Sequence, residues 1–376
     1  MKGSRMNTAL TAARGMVTRL RDRDTVSVVA YAQDAELVVA PTTLTPSSRA
    51  AVLRALSTIS ARGNTCISCG LEQALALAPR GDGAVHRIVL LSDGKANRGG
   101  RTLADFAGIA QQARRSQTAV TSIGVGVDYD QRLLASLSRG TNGAHHFVER
   151  LSQLAPIFEQ ELQALAQSVA ASTTVEVQLA PGVELLEVVD RASSRDGQRL
   201  IVPFGSFSAG EDKTLLMRVR LPPREHGVQA VGDIALRYTD ASTGRRERAD
   251  ATLEVTVGDT KSELVPTVVA RIAQSETVRD IGAINALIDA GRDDAASNAI
   301  KRSRKRIRKR RDESLARGLK PGSAAADSFA FQDAALGKAG LNVEQAREAQ
   351  VQGDRDAPAT RKAASKRSEA LASPFD

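Results

Sequence analysis

The hydrophobic period of this chain changes near Ser172, and that change limits the fold more than any other feature of its 376 residues. Before it, apolar stripes at helical spacing alternate with short apolar runs. Met6, Leu10, Ala13, Val17 and Leu20 fall on one helix face, and Thr25–Ala32 reads as a strand. Val52, Leu56 and Ile59 predict a helix after the Thr-Pro-Ser-Ser start signal at Thr45–Ser48. Val85–Gly94 and Ala119–Asp128 read as strands, with Leu103, Phe106, Ala110 and Ala113 marking a helix between them. His145–Glu149 is a short strand, and Leu151, Leu154, Phe158, Leu162, Leu165 and Val169 follow as a helix. Near-continuous apolar strands separated by helices specify an α/β fold with a doubly wound, mostly parallel, covered sheet.

After Ser172 the period is two. Val175, Val177 and Leu179 alternate with Glu176 and Gln178, and the runs around Leu215–Leu221, Ile234–Tyr238 and Leu253–Val257 do the same. Turn pairs such as Pro181-Gly182, Asp196-Gly197 and Thr243-Gly244 separate them, which predicts an antiparallel β-sandwich. From Asp259 the pattern is helical again, on Leu264, Val268, Ile272, Ile281, Ile284 and Ile288, and Asp293–Arg317 is helix-compatible but highly charged. Beyond Pro321 large apolar residues are few, too few to offset the entropy of ordering. The expected organisation is therefore an α/β domain at 1–171, a sandwich at 172–258, a helical region at 259–320 and a disordered tail at 321–376.

Charge is concentrated in one place. Lys301–Arg311 holds nine basic residues: Lys301, Arg302, Arg304, Lys305, Arg306, Arg308, Lys309, Arg310 and Arg311. These nine account for the whole excess of 52 Lys and Arg over 43 Asp and Glu, so the pI near 9.9 belongs to a segment and not to a basic domain. The chain has no apolar run long enough to span a membrane, and Met1–Leu20 lacks the apolar core and cleavage site of a signal peptide. Two cysteines exclude a disulfide framework and cannot by themselves close a four-ligand zinc site.

Three segments of the first 170 residues carry a recognisable arrangement: Gly63–Leu71 (GNTCISCGL), Leu90–Asn97 (LLSDGKAN) and Ser122–Ser138 (SIGVGVDYDQRLLASLS). In order and spacing they resemble a von Willebrand factor type A domain of the bacterial branch near the inter-alpha-trypsin-inhibitor and calcium-activated-chloride-channel-like proteins. The sandwich of 172–258 fits the domain that often follows in that branch. The resemblance implies a metal-ion-dependent adhesion site at the carboxyl ends of the strands, where Mg²⁺ or another divalent cation is held by oxygen ligands from three loops. It maps a threonine ligand onto Thr65 and an aspartate ligand onto Asp93. The first loop of the family, Asp-x-Ser-x-Ser, would lie just upstream of Met1 together with the first central strand. The expectation is that the real protein extends further upstream, with its first-loop ligands absent here. Any signal or membrane anchor would then lie there too, and the compartment stays open, cytoplasmic only by default.

Other chemistry-bearing residues have plainer readings beside the functional ones. Asp93 also suits the end of a strand, and Thr65 a helix cap. Cys66 and Cys69 form a Cys-x-x-Cys at a helix start, readable as a redox pair or as small packing residues. His145 and His146 are adjacent in a strand, so they point to opposite faces. His86 has no spaced partners for a zinc site, Ser92 lacks a nucleophile elbow, and Gly124-x-Gly126 lacks the rest of a dinucleotide fingerprint. The basic run suits phosphates or anionic lipid, but without interleaved aromatics, and a solvated helix balanced by Asp293-Asp294 and Asp312-Glu313 explains it as well. The function expected is that of a non-enzymatic adhesion module that binds an acidic group of a protein partner through the divalent cation. A metal-independent scaffold, or binding of nucleic acid or an anionic surface by the basic run, is the alternative.

Overall fold

Local signals start several of the helices where the chain chemistry asks for them. The computed structural model describes residues 1, 3–78, 85–189, 191–223, 226–258, 265–352 and 356–372. Helix α1 (Ser4–Arg19) leads into an antiparallel hairpin of β1 (Thr25–Tyr31) and β2 (Ala35–Thr43). Helix α2 (Pro46–Leu56) begins with Thr45 and Ser48 each accepting the other's backbone N–H, a reciprocal cap. There follow α3 (Ile67–Ala76), β3 (His86–Ser92), α4 (Leu103–Arg115), β4 (Thr118–Val125), α5 (Gln131–Gly140), β5 (His145–Val148) and α6 (Leu154–Ala166). Strands β3, β4 and β5 form a three-stranded parallel sheet in that order.

The alternation along these strands decides which helix covers which face. Ile88, Leu90, Val120 and Phe147 pack with α3, α4 and α5 around Leu71, Phe106, Leu133 and Leu134. Val89, Leu91, Ile123, Val125 and Val148 pack with α1 and α6 around Ala9, Ala12, Leu154 and Phe158. The sheet is therefore covered on both sides, as parallel sheets require. Val169, expected on the last helix, lies instead in the following strand, because α6 ends at Ala166.

The sandwich comprises β6 (Ser168–Leu179), β7 (Glu184–Val189), β8 (Ser194–Asp196), β9 (Arg199–Ser208), β10 (Leu216–Arg220), β11 (Gly227–Asp240) and β12 (Arg246–Val257). Five strands pair in the order β12-β11-β6-β9-β8, and β10 pairs with β7. Val177, Leu200, Val202 and Phe204 of the larger sheet meet Leu185, Val188, Met217 and Val219 of the smaller one. The α/β layers and the sandwich belong to one compact unit, Met1–Arg224 with Val228–Thr256.

The second unit, Glu225–Gly227 with Val257–Asp376, packs α7 (Pro266–Asp289), α8 (Asp293–Ala316), α9 (Ala324–Val351) and α10 (Ala357–Ala370). Leu264, an expected apolar helix position, lies outside the described residues. The expected disordered tail is corrected here: α9 and α10 occupy most of 321–376. Phe329, Gln332, Leu336, Ala339, Val343 and Ala346 recur at steps of three and four, and all are buried. Alanine supplies two of the five apolar residues of that stripe, so it orders a helix and lets neighbours approach closely while adding few large side chains. Among the described residues, no helix is long and apolar enough to cross a membrane.

One buried ion pair ties α6 to the sheet. Glu161, 4% exposed, accepts from the Arg87 guanidinium at 2.6 Å and the Thr121 hydroxyl at 2.7 Å, and His146 Nε2 lies 3.2 Å away. Burial pushes its carboxyl up, but the His146 contact, the Arg87 charge and the Thr121 and Arg87 hydrogen bonds outweigh it and hold it at about 2. His145, on the opposite face, meets Ser122 Oγ at 2.8 Å. Because the folded value lies below the ordinary one, Glu161 stabilises the fold fully above the ordinary carboxylate range. That stabilisation is lost as pH falls through about 2. Glu161→Gln is expected to cost about 3 kcal/mol at neutral pH by leaving Arg87 half-paired, and to flatten the acid limb of stability measured by urea unfolding between pH 5 and 2.

Candidate functional site

Parallel strands bring their carboxyl ends to one edge, and at that edge two loops meet. One runs from Gly63 into α3; the other leaves β3 at Ser92 and reaches α4 through Gly99–Arg101. The Thr65 N–H donates to Asn97 Oδ1 at 2.7 Å, while the Asn97 and Arg98 N–H groups donate to the Thr65 carbonyl at 3.1 and 3.4 Å. Lower down, the Gly100 N–H donates to Ser68 Oγ at 2.9 Å. A methyl group built on Gly94 would stand 3.6 Å from Thr65 Oγ1, which puts the Thr65 hydroxyl against the turn that carries Asp93. The α4 end of the second loop is fixed by Thr102 and Asp105, which cap each other reciprocally.

Thr65 and Asp93, nominated separately from two motifs, are thus brought together. Thr65 does not cap α3: Cys66 is the residue at the cap position, and no side chain accepts there. Asp93 is 20% exposed and answered by cations, with the Met1 ammonium at 3.0 Å and the Arg5 guanidinium at 3.9 Å. Tyr31, at the end of β1, donates its hydroxyl to the Leu91 carbonyl of β3. Burial pushes that hydroxyl above its ordinary range; the Ser92 side chain works against the shift and the Asp93 charge adds to it. Tyr31 therefore stays neutral and a donor.

Asn97, Ser68, Tyr31 and the Met1–Arg5 pair were not read from the sequence as parts of this corner. Asn97 stands inside LLSDGKAN and so carried a signal of position, though not of role.

Below the corner lies a cavity of about 1140 Å³. It is lined along its length by Val26–Tyr31 of β1 and His86–Ser92 of β3, with α1 and α6 residues closing its sides. β1 pairs only with β2, and β3 only with β4, among the described residues. Two strand edges therefore border one space.

Thr65 and Asp93 offer hard oxygen donors, the type Mg²⁺ takes, yet Mg²⁺ needs about six oxygens in near-octahedral array. Among the described residues there is no group of three or more His, Cys, Asp or Glu that could hold a metal. The two donors do not by themselves fit a tightly held divalent ion.

Cys66 and Cys69, left open between redox and packing roles, form a disulfide with Cα atoms 5.3 Å apart.

The nine basic residues lie in the helical unit, in α8. The run is not a wholly solvated helix: Ala296, Ile300, Ser303 and Ile307 of α8 make a narrow buried stripe. Arg304 and Arg308 both pair with Asp333 of α9, at 2.8 and 3.0 Å. Arg306 and Arg310 pair with Glu276 of α7 at 3.2 and 2.9 Å, and Arg306 also with Asp280. Lys309 and Arg311 reach Glu313 and Asp312. Asp293 and Asp294, expected to balance the run, instead pair with Arg361 and Arg347. Lys301, Arg302 and Lys305 are exposed.

Residues 1–160 match the model of the von Willebrand factor type A domain. This part of the chain is similar to that class of domain, which is generally a protein–protein interaction module. Its relatives include an uncharacterized protein of Synechocystis, 24% identical over 68% of this chain and 63% of its own length. Another is the uncharacterized Escherichia coli protein YfbK, 24% identical over 64% of this chain and 42% of its own length. The chain therefore spans less than two thirds of these curated relatives. Among solved structures, a von Willebrand factor type A protein from Catenulispora acidiphila shares the fold with a TM-score of 0.77 and 18% identity, over 98% of this chain and 84% of that one. The ArnB paralog VWA2 from Sulfolobus acidocaldarius does so at 0.53 and 15%, over 96% and 82%.

The clasp between the loops is testable on its own. Asn97→Ala is expected to lower global stability by only about 1 kcal/mol, while amide exchange at Thr65 speeds by about tenfold, a 1.4 kcal/mol local change. Equal protection of Thr65 in both proteins would show that Asn97 does not hold the loop.

Proposed function

We propose that this chain is a non-enzymatic interaction module that docks an acidic group of a protein partner at the Thr65–Asp93 corner. The observation that carries the reading is the joining of those two residues, from different loops, at the carboxyl edge of a parallel sheet. That is where ligands meet open α/β folds. A divalent cation belongs to the reading only when further oxygen donors of the Asp-x-Ser-x-Ser type accompany the corner, because two donors are too few. Without them, the corner serves a metal-independent scaffold. The alternative role of the basic run is less well supported. Six of its nine cations are engaged with carboxylates of the helical unit, which leaves fewer to neutralise phosphates.

Magnesium alone is the probe for this reading, measured by calorimetry on the chain as given and on one lengthened at its start by an apolar strand ending in Asp-x-Ser-x-Ser. The given chain is expected to bind Mg²⁺ no better than millimolar. The lengthened chain is expected to bind at least tenfold tighter and to lose that gain on Asp93→Ala. Equal binding by the two chains, or a gain that survives Asp93→Ala, would remove the cation from the reading.

A further inference from the structure

We infer that the Cys66–Cys69 disulfide is a reducible site that sets the packing of the docking corner. The two cysteines are the only ones in the chain, and they pair across a separation of three residues. A bridge that closes so short a loop constrains the unfolded chain far less than one between distant segments, and it ties no two elements together. What it fixes is local: the first turn of α3, immediately after Thr65.

The surroundings transmit that local state. The Cys66 N–H donates to the Ala32 carbonyl at 2.6 Å, anchoring the turn to the end of β1. On its other side the turn is covered by Gly99, in the left-handed region at φ +65°, where a side-chain carbon would collide with Ser68 Oγ and Cys66 Sγ. The next amide, Gly100, donates to Ser68 Oγ between the two cysteines. Two residues before Gly99, Asn97 makes its hydrogen bonds with Thr65. The loop that carries Asp93 therefore lies directly on the disulfide. Two sulfurs that are not bonded to each other need more room than two that are, and here that room has to come from the Gly99 loop or the first turn of α3.

The exchange is an ordinary thiol–disulfide reaction with a dithiol reductant. Its thiolate attacks Cys69 Sγ, the less buried sulfur, forming a mixed disulfide while the Cys66–Cys69 bond breaks. Cys66 leaves with the electron pair at the N-terminus of α3, where a thiolate is favoured, and takes up a proton. The second thiol of the reductant then displaces Cys69 and closes its own disulfide. The protein gains two electrons and two protons, and the reductant loses them. The consequence for partner docking rests on the proposed function; the change in the loop does not.

Timed trypsin digestion reads the loop without metal or partner, because Lys95, Arg98 and Arg101 lie exposed within it. The full chain is compared oxidised, reduced with dithiothreitol, and reoxidised, with alkylation and mass spectrometry giving the thiol state. Reduction is expected to speed cleavage after these three residues at least tenfold, leave cleavage at Lys301 and Arg302 unchanged, and reverse on reoxidation. A Cys66→Ser/Cys69→Ser variant is expected to match the reduced protein, and the reversible cycle of the unaltered chain serves where that variant does not fold. Equal cleavage of the oxidised and reduced chain, or cysteines that stay thiols after oxidation, would overturn the inference. Loss of Mg²⁺ binding in the lengthened chain would bear on the proposed function alone.

Discussion

Parallel pairing across β3, β4 and β5 leaves the carboxyl end of each strand on the same side of the sheet, and the corner is hung from that edge. Such a sheet has no solvent face to spare. Its residues must alternate between two buried layers, and helices must cross on both sides. The buried Arg87–Glu161 pair and the two helix layers are the means by which that requirement is met here. Once it is met, the loops after Ser92 and before Ile67 have little choice but to converge. The loop that carries Asp93 is short and capped at its far end, so its amides turn inward to Thr65 and Ser68.

How much of this could be read in advance differs by element, for physical reasons. The strands of the parallel sheet are apolar on both faces, so β3 and β4 announce themselves as runs. β2 does not: only Val39 of its nine residues is buried, and Pro41 interrupts it. The α9 stripe hides for a different reason, since two of its five apolar positions are alanine and a glutamine stands among them. Thr65 and Asp93 were legible because each stands in a motif with a fixed neighbourhood. The clasp by Asn97, the cations on Asp93 and the Tyr31 hydrogen bond were not, because each joins residues far apart in sequence. The cysteine spacing suits a disulfide, a redox pair or plain packing equally, and only the bond between the two sulfurs sets plain packing aside.

The helical unit shows how misleading a charge run can be when read alone. KRSRKRIRKRR looks like a polyanion-binding segment, but Ile300, Ser303 and Ile307 give it a narrow inward seam. Arginine stems flank that seam and carry their guanidinium groups outward to acids on α7 and α9. Asp333, shared by Arg304 and Arg308, is held at about 2, first by the Arg304 hydrogen bonds and, against partial burial, by those of Arg308. The excess positive charge is in large part internal wiring between helices.

The division of the α/β layer into a hairpin and a three-stranded slab affects how the domain loosens. No continuous ladder of backbone hydrogen bonds runs from β2 to β5 among the described residues. The hairpin is joined to the slab through the Tyr31 hydroxyl and the packing of α1 and α3. Side-chain contacts of this kind yield independently of one another, whereas a ladder opens from its ends. Among the described residues the β1–β2 hairpin is thus held to the slab by side chains and helix packing, within one compact unit.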